Sequence, residues 1–260
     1  MASGMIATLN FATKASDGFS DEDIELLRLV HPAMSAGQEI LATNRVLHEV
    51  TRMYVGEEPH RRILAGDVRR GEVMKMRAAI VFADMRGFTA LTADMGAEEA
   101  TRLLNDYYDC VVPHIESRGG DVLKLIADGV LAIFRVEDDG EDEGEARACA
   151  NAYAAAVAGL KAVSERTAEP PFAIGYGLHL GEVAYGNVGS GMRLDYTVIG
   201  RDVNFASRIA SLCGDLREPL LVSQALHQHM PNALPRFCGE HSLKGIGEPA
   251  AIFAPPILKN

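Results

Sequence analysis

Apolar residues recur along this chain with two periods, one typical of strands and the other typical of helices. The run AAIVFAD at positions 78–84 is apolar up to its last residue, which predicts a buried strand. Farther on, the apolar residues follow the i, i+3, i+4, i+7 spacing of an amphipathic helix, and Gly119-Gly120 marks the end of that helix. The apolar positions of this helix are Ala100, Leu103, Leu104, Tyr107, Tyr108, Val111, Val112 and Ile115.

The stretch RGGDVLKLIADGVLAIF, at positions 118–134, predicts two apolar strands folded back on each other. A second helix is predicted at about 145–166, strands at 172–180 and 182–188, and a further helix at about 201–213. The resulting order is strand, helix, two strands, helix, strand. We therefore predict an α+β fold of the ferredoxin-like βαββαβ type, in which an antiparallel-rich sheet carries its helices on one face.

The first residues have a different pattern. Positions 6–19 predict a strand and a turn. Ser20 is a candidate N-cap, because the acidic tripeptide at 21–23 would then lie in the first helical turn, where negative charge is favourable. We therefore expect a helix to begin here.

That helical pattern is long, and interruptions are predicted near Pro32 and Gly37. It is followed by a polar stretch at 56–75. We predict that residues 1–75 form an N-terminal extension with a strand and a signalling or dimerisation helix, and that residues 76–260 form the main domain.

Composition narrows the class of protein. The chain has 260 residues, 48% of them hydrophobic, which is enough for a large packed core. No apolar run of 18 residues is present, and the first residues lack the basic-then-apolar order of a secretory signal, so we expect no membrane span and a cytoplasmic protein. The wide spacing of the cysteines argues against a disulfide framework and against a zinc site. These cysteines are Cys110, Cys149, Cys213 and Cys238.

The formal net charge of −11 disfavours binding to nucleic acid or to an anionic membrane. Much of this charge lies in EDDGEDEGE at 137–145, where seven of nine residues are acidic. The segment lacks the ligand spacing of a calcium loop, so we interpret it as a solvated loop.

Two aspartates lie where a strand or a hairpin turns. Asp84 ends the predicted strand and precedes a helix start, whose free N–H groups can receive a phosphate. Asp128 lies at the tip of the predicted hairpin, which can be a neighbour of that strand. Two carboxylates at one sheet edge suit a two-metal site that holds a nucleoside triphosphate. The alternatives are a capped turn for Asp84 and an Asp-Gly type I′ turn at Asp128.

Three further residues are candidates for binding. Lys124 lies in an otherwise apolar strand, where it needs either a partner or a route by which its ammonium group reaches water. Asn204 and Arg208 are four residues apart and share one helix face, where an amide and a guanidinium suit a sugar and a phosphoryl group. The alternative for this pair is an ordinary exposed helix face.

Four segments, in this order and spacing, resemble the catalytic domain of the class III nucleotidyl cyclases. They are VFADMRGFTALT, GGDVLKLIADGVLAIF, LDYTVIGRDVNFASR and HSLKGIGEP, and the resemblance covers roughly Arg77 to Phe253. It implies an adenylyl cyclase, a phosphorus–oxygen lyase that closes ATP to cyclic AMP and releases pyrophosphate. It also implies two divalent metal ions, Mg²⁺ or Mn²⁺, and a head-to-tail homodimer with two shared active sites.

The resemblance implies roles for single residues. Asp84 and Asp128 match the metal-binding aspartates of the family, with the backbone carbonyl of Met85 near the metals. Lys124 and Thr197 match the pair that reads the purine. A lysine donor suits adenine N1 and a threonine hydroxyl can accept from the 6-amino group, so this pair favours ATP over GTP. Threonine at position 197 resembles a mainly bacterial subgroup.

Asn204 matches the asparagine that orients the ribose, and Arg208 the arginine that stabilises the pentacoordinate phosphorus. Ala127 departs from the family pattern, since many members have glycine there. The segment LNFATKASDGFSDEDIELL resembles the end of a GAF-type sensor domain, and a dimerising extension without a ligand is the alternative. Further positions that the resemblance implies for substrate binding are Phe88, Thr89, Arg193 and Lys244.

Two other functions fit parts of the sequence. GGD in RGGDVLKL suggests a diguanylate cyclase, but the continuation expected after GGD is missing and the helix with Asn204 and Arg208 has no use there. A degenerate cyclase domain that only binds nucleotide or only dimerises usually lacks a metal aspartate or the arginine. This chain keeps all of these residues.

Overall fold

The computed structural model describes residues 8–137, 141–191, 193–230 and 235–256. The chain divides into two compact units, Met1–Arg61 and Arg62–Asn260. The domain boundary predicted between residues 75 and 76 stays a prediction. None of the helices in the described ranges is both long and apolar enough to cross a membrane.

In the first unit, helix α1 (Asp21–Val55) begins where predicted. The Ser20 hydroxyl accepts a 3.2 Å hydrogen bond from the N–H of Asp23, and the Asp23 carboxylate accepts a 2.9 Å bond from the N–H of Ser20. This reciprocal pair is a capping box. The Ser20 hydroxyl also donates a 2.7 Å hydrogen bond to the Asp23 carboxylate, and this bond, together with the one from the Ser20 N–H, lowers the pKa of Asp23.

Two predictions for this unit are wrong. Residues 8–20 contain no strand, because a strand needs a neighbour for its backbone hydrogen bonds and the described part of this unit offers none. The rest of that predicted strand lies outside the described residues. The helix is not interrupted near Pro32 or Gly37 either. Proline removes one N–H donor, at a cost of about 3 kcal/mol, but the remaining bonds of this 35-residue helix continue on both sides.

After α1 the order of elements confirms the predicted βαββαβ core and extends it with further strands at the C-terminal end. The elements are α2 (Glu57–Leu64), β1 (Val73–Met85), α3 (Phe88–Leu91), α4 (Ala97–Glu116), β2 (Asp121–Ile126), β3 (Gly129–Arg135), α5 (Glu141–Glu165), β4 (Ile174–Ser190), β5 (Arg193–Ile199), α6 (Arg201–Leu216), β6 (Leu220–Ser223), α7 (Gln224–His227), β7 (Arg236–His241) and β8 (Ala250–Ala254).

The strands form one eight-stranded sheet in the order β2-β3-β1-β4-β6-β8-β7, with β5 paired to β4 outside this path. All of its described pairs are antiparallel except β4 with β6. The two strands predicted at 172–180 and 182–188 are a single strand, β4, which passes through Gly181 without a break. The reason is that β1 pairs with it continuously, from Val73 opposite Gly186 to Met85 opposite Ile174.

Helices cover both faces of the sheet, so the expectation of one helical face is wrong. Alternate β1 residues Ala79, Val81 and Ala83 pack in the core beneath α4 and α5. Their neighbours Ala78 and Ile80 point to the other face, in a core that contains Ala206 of α6 and has several partly buried residues packed against it. A strand covered on both faces reads as a continuous apolar run, which is the pattern of β1.

The approach of α6 to the sheet depends on glycines in β4. A Cβ on Gly177 would lie 2.3 Å from the backbone nitrogen of Ala210, and one on Gly175 would lie 3.0 Å from the Cβ of Cys213. Side chains at these positions would therefore push the helix outward. Gly175 and Gly177 therefore let the backbone of α6 rest directly on β4.

The acidic segment at 137–145 is only partly a loop. Helix α5 begins at Glu141, four residues before its predicted start, because acidic residues are favourable in the first turn of a helix. Residues 138–140 lie outside the described part of the chain.

Candidate active site

The backbone brings Asp84 and Asp128 to the same end of the sheet. Asp84 is the penultimate residue of β1 and lies opposite Gly129, the first residue of β3. The N–H of Met85 donates a 2.9 Å hydrogen bond to the carbonyl oxygen of Asp128. The hairpin is thus the neighbour of β1, as predicted, and its tip lies beside the end of that strand.

The two carboxylates interact electrostatically. The pKa of Asp84 is raised to about 6, first by burial and then by the negative charge of Asp128, while the guanidinium of Arg86 opposes the shift. Ionisation of both aspartates at once is therefore unfavourable, because two negative charges would lie close together in a partly buried place. A cation held between them would reverse that penalty.

This donor set fits a hard divalent cation. Carboxylate and carbonyl oxygens are the ligands that Mg²⁺ and Mn²⁺ prefer. No group of three or more histidine, cysteine, aspartate or glutamate side chains able to hold a metal occurs in the described ranges. Magnesium commonly takes one or two carboxylates and completes its shell with water and phosphate oxygens, so two aspartates suffice.

The turn that carries Asp128 is held from α4. The hydroxyl of Tyr108 donates a hydrogen bond to the carbonyl oxygen of Ala127. The turn residues are Ala127 and Asp128, since Ile126 pairs directly with Gly129. The Asp-Gly turn considered as an alternative is therefore wrong by one position, and the left-handed residue is Ala127, with a φ of +50°. The sequence did not indicate this hydrogen bond, because Tyr108 fits the apolar spacing of α4 like its neighbours.

Lys124 has a partner within its own chain. Its ammonium group forms an ion pair with the carboxylate of Asp195, on strand β5. Thr197 lies two residues farther along β5, on the same side of the strand, and is 8% exposed. Sequence reasoning singled out Thr197 but missed Asp195, although its spacing of two residues in a strand was a usable signal.

Asn204 and Arg208 are exposed on one side of α6, whereas Ala206 and Ile209 are buried against the rest of the domain. Neither polar side chain has a hydrogen-bond partner among the described residues. Cys213 lies over Gly175, which pairs with Asp84 in the sheet.

This arrangement separates Arg208 from Asp84 within one chain. Arg208 is five residues before Cys213, or about 7.5 Å along the helix axis, and it lies on the side of α6 that faces away from the sheet. Asp84 belongs to the sheet itself. The structure therefore pairs the two aspartates with each other but not with the arginine.

The remaining candidates lie at the starts of short elements or in a turn. Phe88 and Thr89 start the one-turn helix α3, where the Phe88 ring packs on the core and Thr89 is exposed. Arg193 is exposed at the start of β5. Lys244 is exposed in a turn closed by a 2.9 Å bond from the N–H of Ile246 to the carbonyl of Leu243.

Comparison with known proteins gives one family. The family described as the adenylate and guanylate cyclase catalytic domain matches residues 73–246. An adenylate cyclase of Anabaena cylindrica is 32% identical over 174 residues, which are 63% of this chain and 33% of that protein. Adenylate cyclase 1 of Rhizobium meliloti (strain 1021) is 27% identical over 177 residues, 67% of this chain and 26% of that protein. The chain thus spans a third or less of these relatives.

Solved structures of cyclases resemble the fold. The adenylyl cyclase CyaB from P. aeruginosa has a TM-score of 0.62 and 28% identity, over 73% of this chain and 98% of that one. A bacterial light-regulated adenylyl cyclase has a TM-score of 0.70 at 23% identity, over 89% of this chain and 66% of that one, which is a likeness of fold alone. The matched segment 73–246 runs from the start of β1 past Lys244 and contains the whole candidate site, so the chain belongs to the family of adenylate and guanylate cyclase catalytic domains.

Proposed function

We propose that this domain converts ATP to 3′,5′-cyclic AMP and pyrophosphate in a site formed by two copies of the chain. The observation that carries the proposal is that both halves of such a site are present but face apart. Asp84 lies at the end of β1 and Asp128 in the adjacent β2–β3 turn, while Asn204 and Arg208 are exposed on the outward side of α6. A second copy, placed head to tail, would bring the outward side of its α6 to the carboxylates.

Asp84 and Asp128, with the carbonyl of Met85, would hold two divalent cations. Cations bound there supply an electrophile for the triphosphate and lower the pKa of the ribose 3′-hydroxyl. The backbone hydrogen bond between Met85 and Asp128 keeps the ligand geometry in place before substrate arrives. The N–H groups at the start of α3, at Phe88 and Thr89, are suited to a phosphate oxygen.

Lys124 and Thr197 would select the purine. The ammonium group of Lys124 has three donors, of which Asp195 needs one, so others stay available for adenine N1. The Thr197 hydroxyl accepts from the 6-amino group. GTP presents an acceptor at position 6 and a donor at N1, so the lysine pairing that suits ATP is lost and ATP is favoured.

Asn204 would hydrogen-bond the ribose and Arg208 would meet the charge that grows on the α-phosphate. A guanidinium offers a planar fork of donors, which matches phosphate oxygens in pairs. Because that charge is largest in the transition state, removing Arg208 lowers kcat more than it raises KM. Lys244 and Arg193, both exposed cations, are assigned to the triphosphate.

A competing function is nucleotide binding without turnover. The retention of both aspartates together with Arg208 favours catalysis, because binding alone requires no group that acts on the transition state. The cytoplasmic location and the GAF-type origin of the N-terminal segment stay predictions.

The deciding experiment is cyclic nucleotide production by the purified chain, supplied with ATP or GTP and with Mn²⁺ or Mg²⁺. We expect cyclic AMP from the wild type and none from Asp128→Ala. Cyclic GMP as the main product would contradict the purine assignment. Tight binding of ATP and metal by a dimer that makes no product would favour the binding function.

A further inference from the structure

A histidine lies at the centre of the contact between β4 and α6. His179 is 6% exposed, and it shares one face of β4 with Gly175, Gly177 and Gly181, because side chains alternate along a strand. Glycine at the other three positions lets α6 rest on the strand backbone. His179 is therefore the side chain that fills this contact.

The ring of His179 reaches the first turns of α6. Its Nε2 lies 3.7 Å from the Oδ1 of Asp202, and its ring meets the ring of Phe205 edge to face at a centroid distance of 4.6 Å. The other oxygen of Asp202 accepts a 2.7 Å hydrogen bond from the backbone N–H of Glu182. Asp202 thus links the start of α6 to β4 at two points, the side chain of His179 and the backbone N–H of Glu182.

The opposite edge of the imidazole is also held. Its Nδ1 lies 2.8 Å from the hydroxyl oxygen of Ser223, at the end of β6. That oxygen already accepts the N–H of Leu226 at 3.3 Å, so the serine proton is free to point at Nδ1. The Nε2 atom then faces the Asp202 carboxylate at ion-pair distance, so each ring nitrogen has a polar neighbour on a different element.

Serine, histidine and aspartate are also the residues of a hydrolytic triad, but this cluster is not one. Ser223 is 1% exposed and its oxygen caps helix α7, so no substrate reaches it. A buried polar side chain held between neighbouring elements helps to fix how they pack, because a shift of one element moves it away from its polar neighbours.

We infer that His179 and Asp202 are positioning residues that fix where α6 lies on the sheet, and so where Asn204 and Arg208 meet the substrate. The inference rests on the proposed cyclase function. Asn204 is two residues after Asp202, so a displacement of that turn moves the amide directly. Arg208 follows one turn later on the same helix.

The test compares Asp202→Asn with Asp215→Asn, which makes the same change on an exposed residue of α6 that has no partner among the described residues. We expect Asp202→Asn to lower kcat about tenfold with KM for ATP within about twofold, and Asp215→Asn to match the wild type. His179→Gln, which keeps a polar group, should retain more activity than His179→Leu. Equal kcat for Asp202→Asn and Asp215→Asn would overturn the inference.

Two further measurements separate positioning from simple loss of stability. If Asp202 acts by positioning Arg208, Asp202→Asn should lower kcat by a smaller factor in a chain that already carries Arg208→Lys than in the wild type. If Asp202→Asn acts only through loss of stability, it should lower kcat by the same factor in both chains. Hydrogen exchange of the α6 amides needs no turnover: faster exchange in Asp202→Asn than in Asp215→Asn supports the inference even if the wild type makes no cyclic nucleotide and the proposed function fails. Equal exchange in the two variants contradicts it.

Discussion

The N–H of Met85 and the carbonyl oxygen of Asp128 are joined by a 2.9 Å hydrogen bond, which ties the end of β1 to the tip of the β2–β3 hairpin. Together with the pairing of Asp84 with Gly129, this bond holds two aspartates that are 44 residues apart in the sequence at one end of the sheet. The carboxylates are therefore held together by backbone geometry, and they repel each other when no cation is present.

The raised pKa of Asp84 predicts how stability depends on pH. In the folded protein the pKa of Asp84 is raised to about 6 from an ordinary 3.8, mainly by burial, so between these values the folded state holds the proton more strongly than the unfolded chain. The stabilising contribution is complete below pH 3.8 and is lost as the pH rises through 6. We expect Asp84→Asn, which stays neutral, to gain Tm relative to the metal-free wild type as the pH rises from about 4 to 7.

Thermal unfolding across this pH range, with EDTA or with Mn²⁺, checks the prediction. Mn²⁺ should raise the Tm of the wild type at pH 7 but not that of Asp84→Asn. Asp202→Asn is the control of opposite sign, because the His179 imidazole and the Glu182 N–H lower the pKa of Asp202. Asp202→Asn should lose most stability at neutral pH. A difference between wild type and Asp84→Asn that does not change with pH would contradict the assignment.

A shared site predicts complementation between inactive chains. Asp84→Ala and Arg208→Ala each lack one half of the site, so a mixed dimer should contain one intact site and one that lacks both groups. Random mixing in equal amounts makes half of the dimers mixed, so we expect about a quarter of the wild-type activity. Cyclic AMP production after mixing and re-equilibration gives the measurement.

The matched control is a mixture of Asp84→Ala with Asp128→Ala. Both changes fall in the same half of the site, so no mixed dimer has an intact site and no activity should return. Recovery in this control, or none in the first mixture despite dimer formation, would rule out the shared site.

The ion pair between Lys124 and Asp195 predicts a change in substrate selection rather than in stability. Both side chains are partly exposed, so the pair stabilises the fold by only about 0–1 kcal/mol. It does hold the long lysine side chain in one place. We expect Asp195→Asn to lower kcat/KM for ATP by roughly tenfold, as for the loss of a charged hydrogen bond, and to weaken the preference over GTP.

Glu182→Gln provides the comparison, since it breaks another exposed ion pair, between Glu182 and Lys75 at 3.3 Å. Its kinetics should match the wild type. Similar kinetics for both variants would mean that the partner of Lys124 has no part in selection.

The backbone conformation of Ala127 predicts that a substitution by glycine is stabilising. Its φ of +50° is in the left-handed region, where a Cβ costs about 1 kcal/mol or more and glycine has no such penalty. Ala127→Gly should raise the free energy of unfolding by up to about 1 kcal/mol after the extra flexibility of the unfolded chain is subtracted. The opposite sign is expected for Ala154→Gly, at an exposed site inside α5, where glycine costs about 1 kcal/mol. Denaturant unfolding of both variants checks the pair of signs.

Much of the fold could be predicted because it depends on local pattern. The apolar face of α4, the apolar run of β1 and the capping box at Ser20 each depend on residues that are close together in the sequence. Each of these elements was found near its predicted place. Two of the errors concern strand pairing. The strand predicted within positions 6–19 is absent from the described residues 8–19 for lack of a neighbour, and the two strands predicted on either side of Gly181 are one because β1 pairs continuously with residues 174–186.

By itself the sequence determined which chemical groups are available: two aspartates, a lysine with a threonine, and an asparagine with an arginine one helical turn apart. Only the tertiary structure decided which of them meet. Backbone pairing between distant strands joins Asp84 to Asp128, Lys124 finds Asp195 on another strand, and glycines in β4 set the place of α6. These contacts depend on the packing of elements far apart in the chain, which no local pattern encodes.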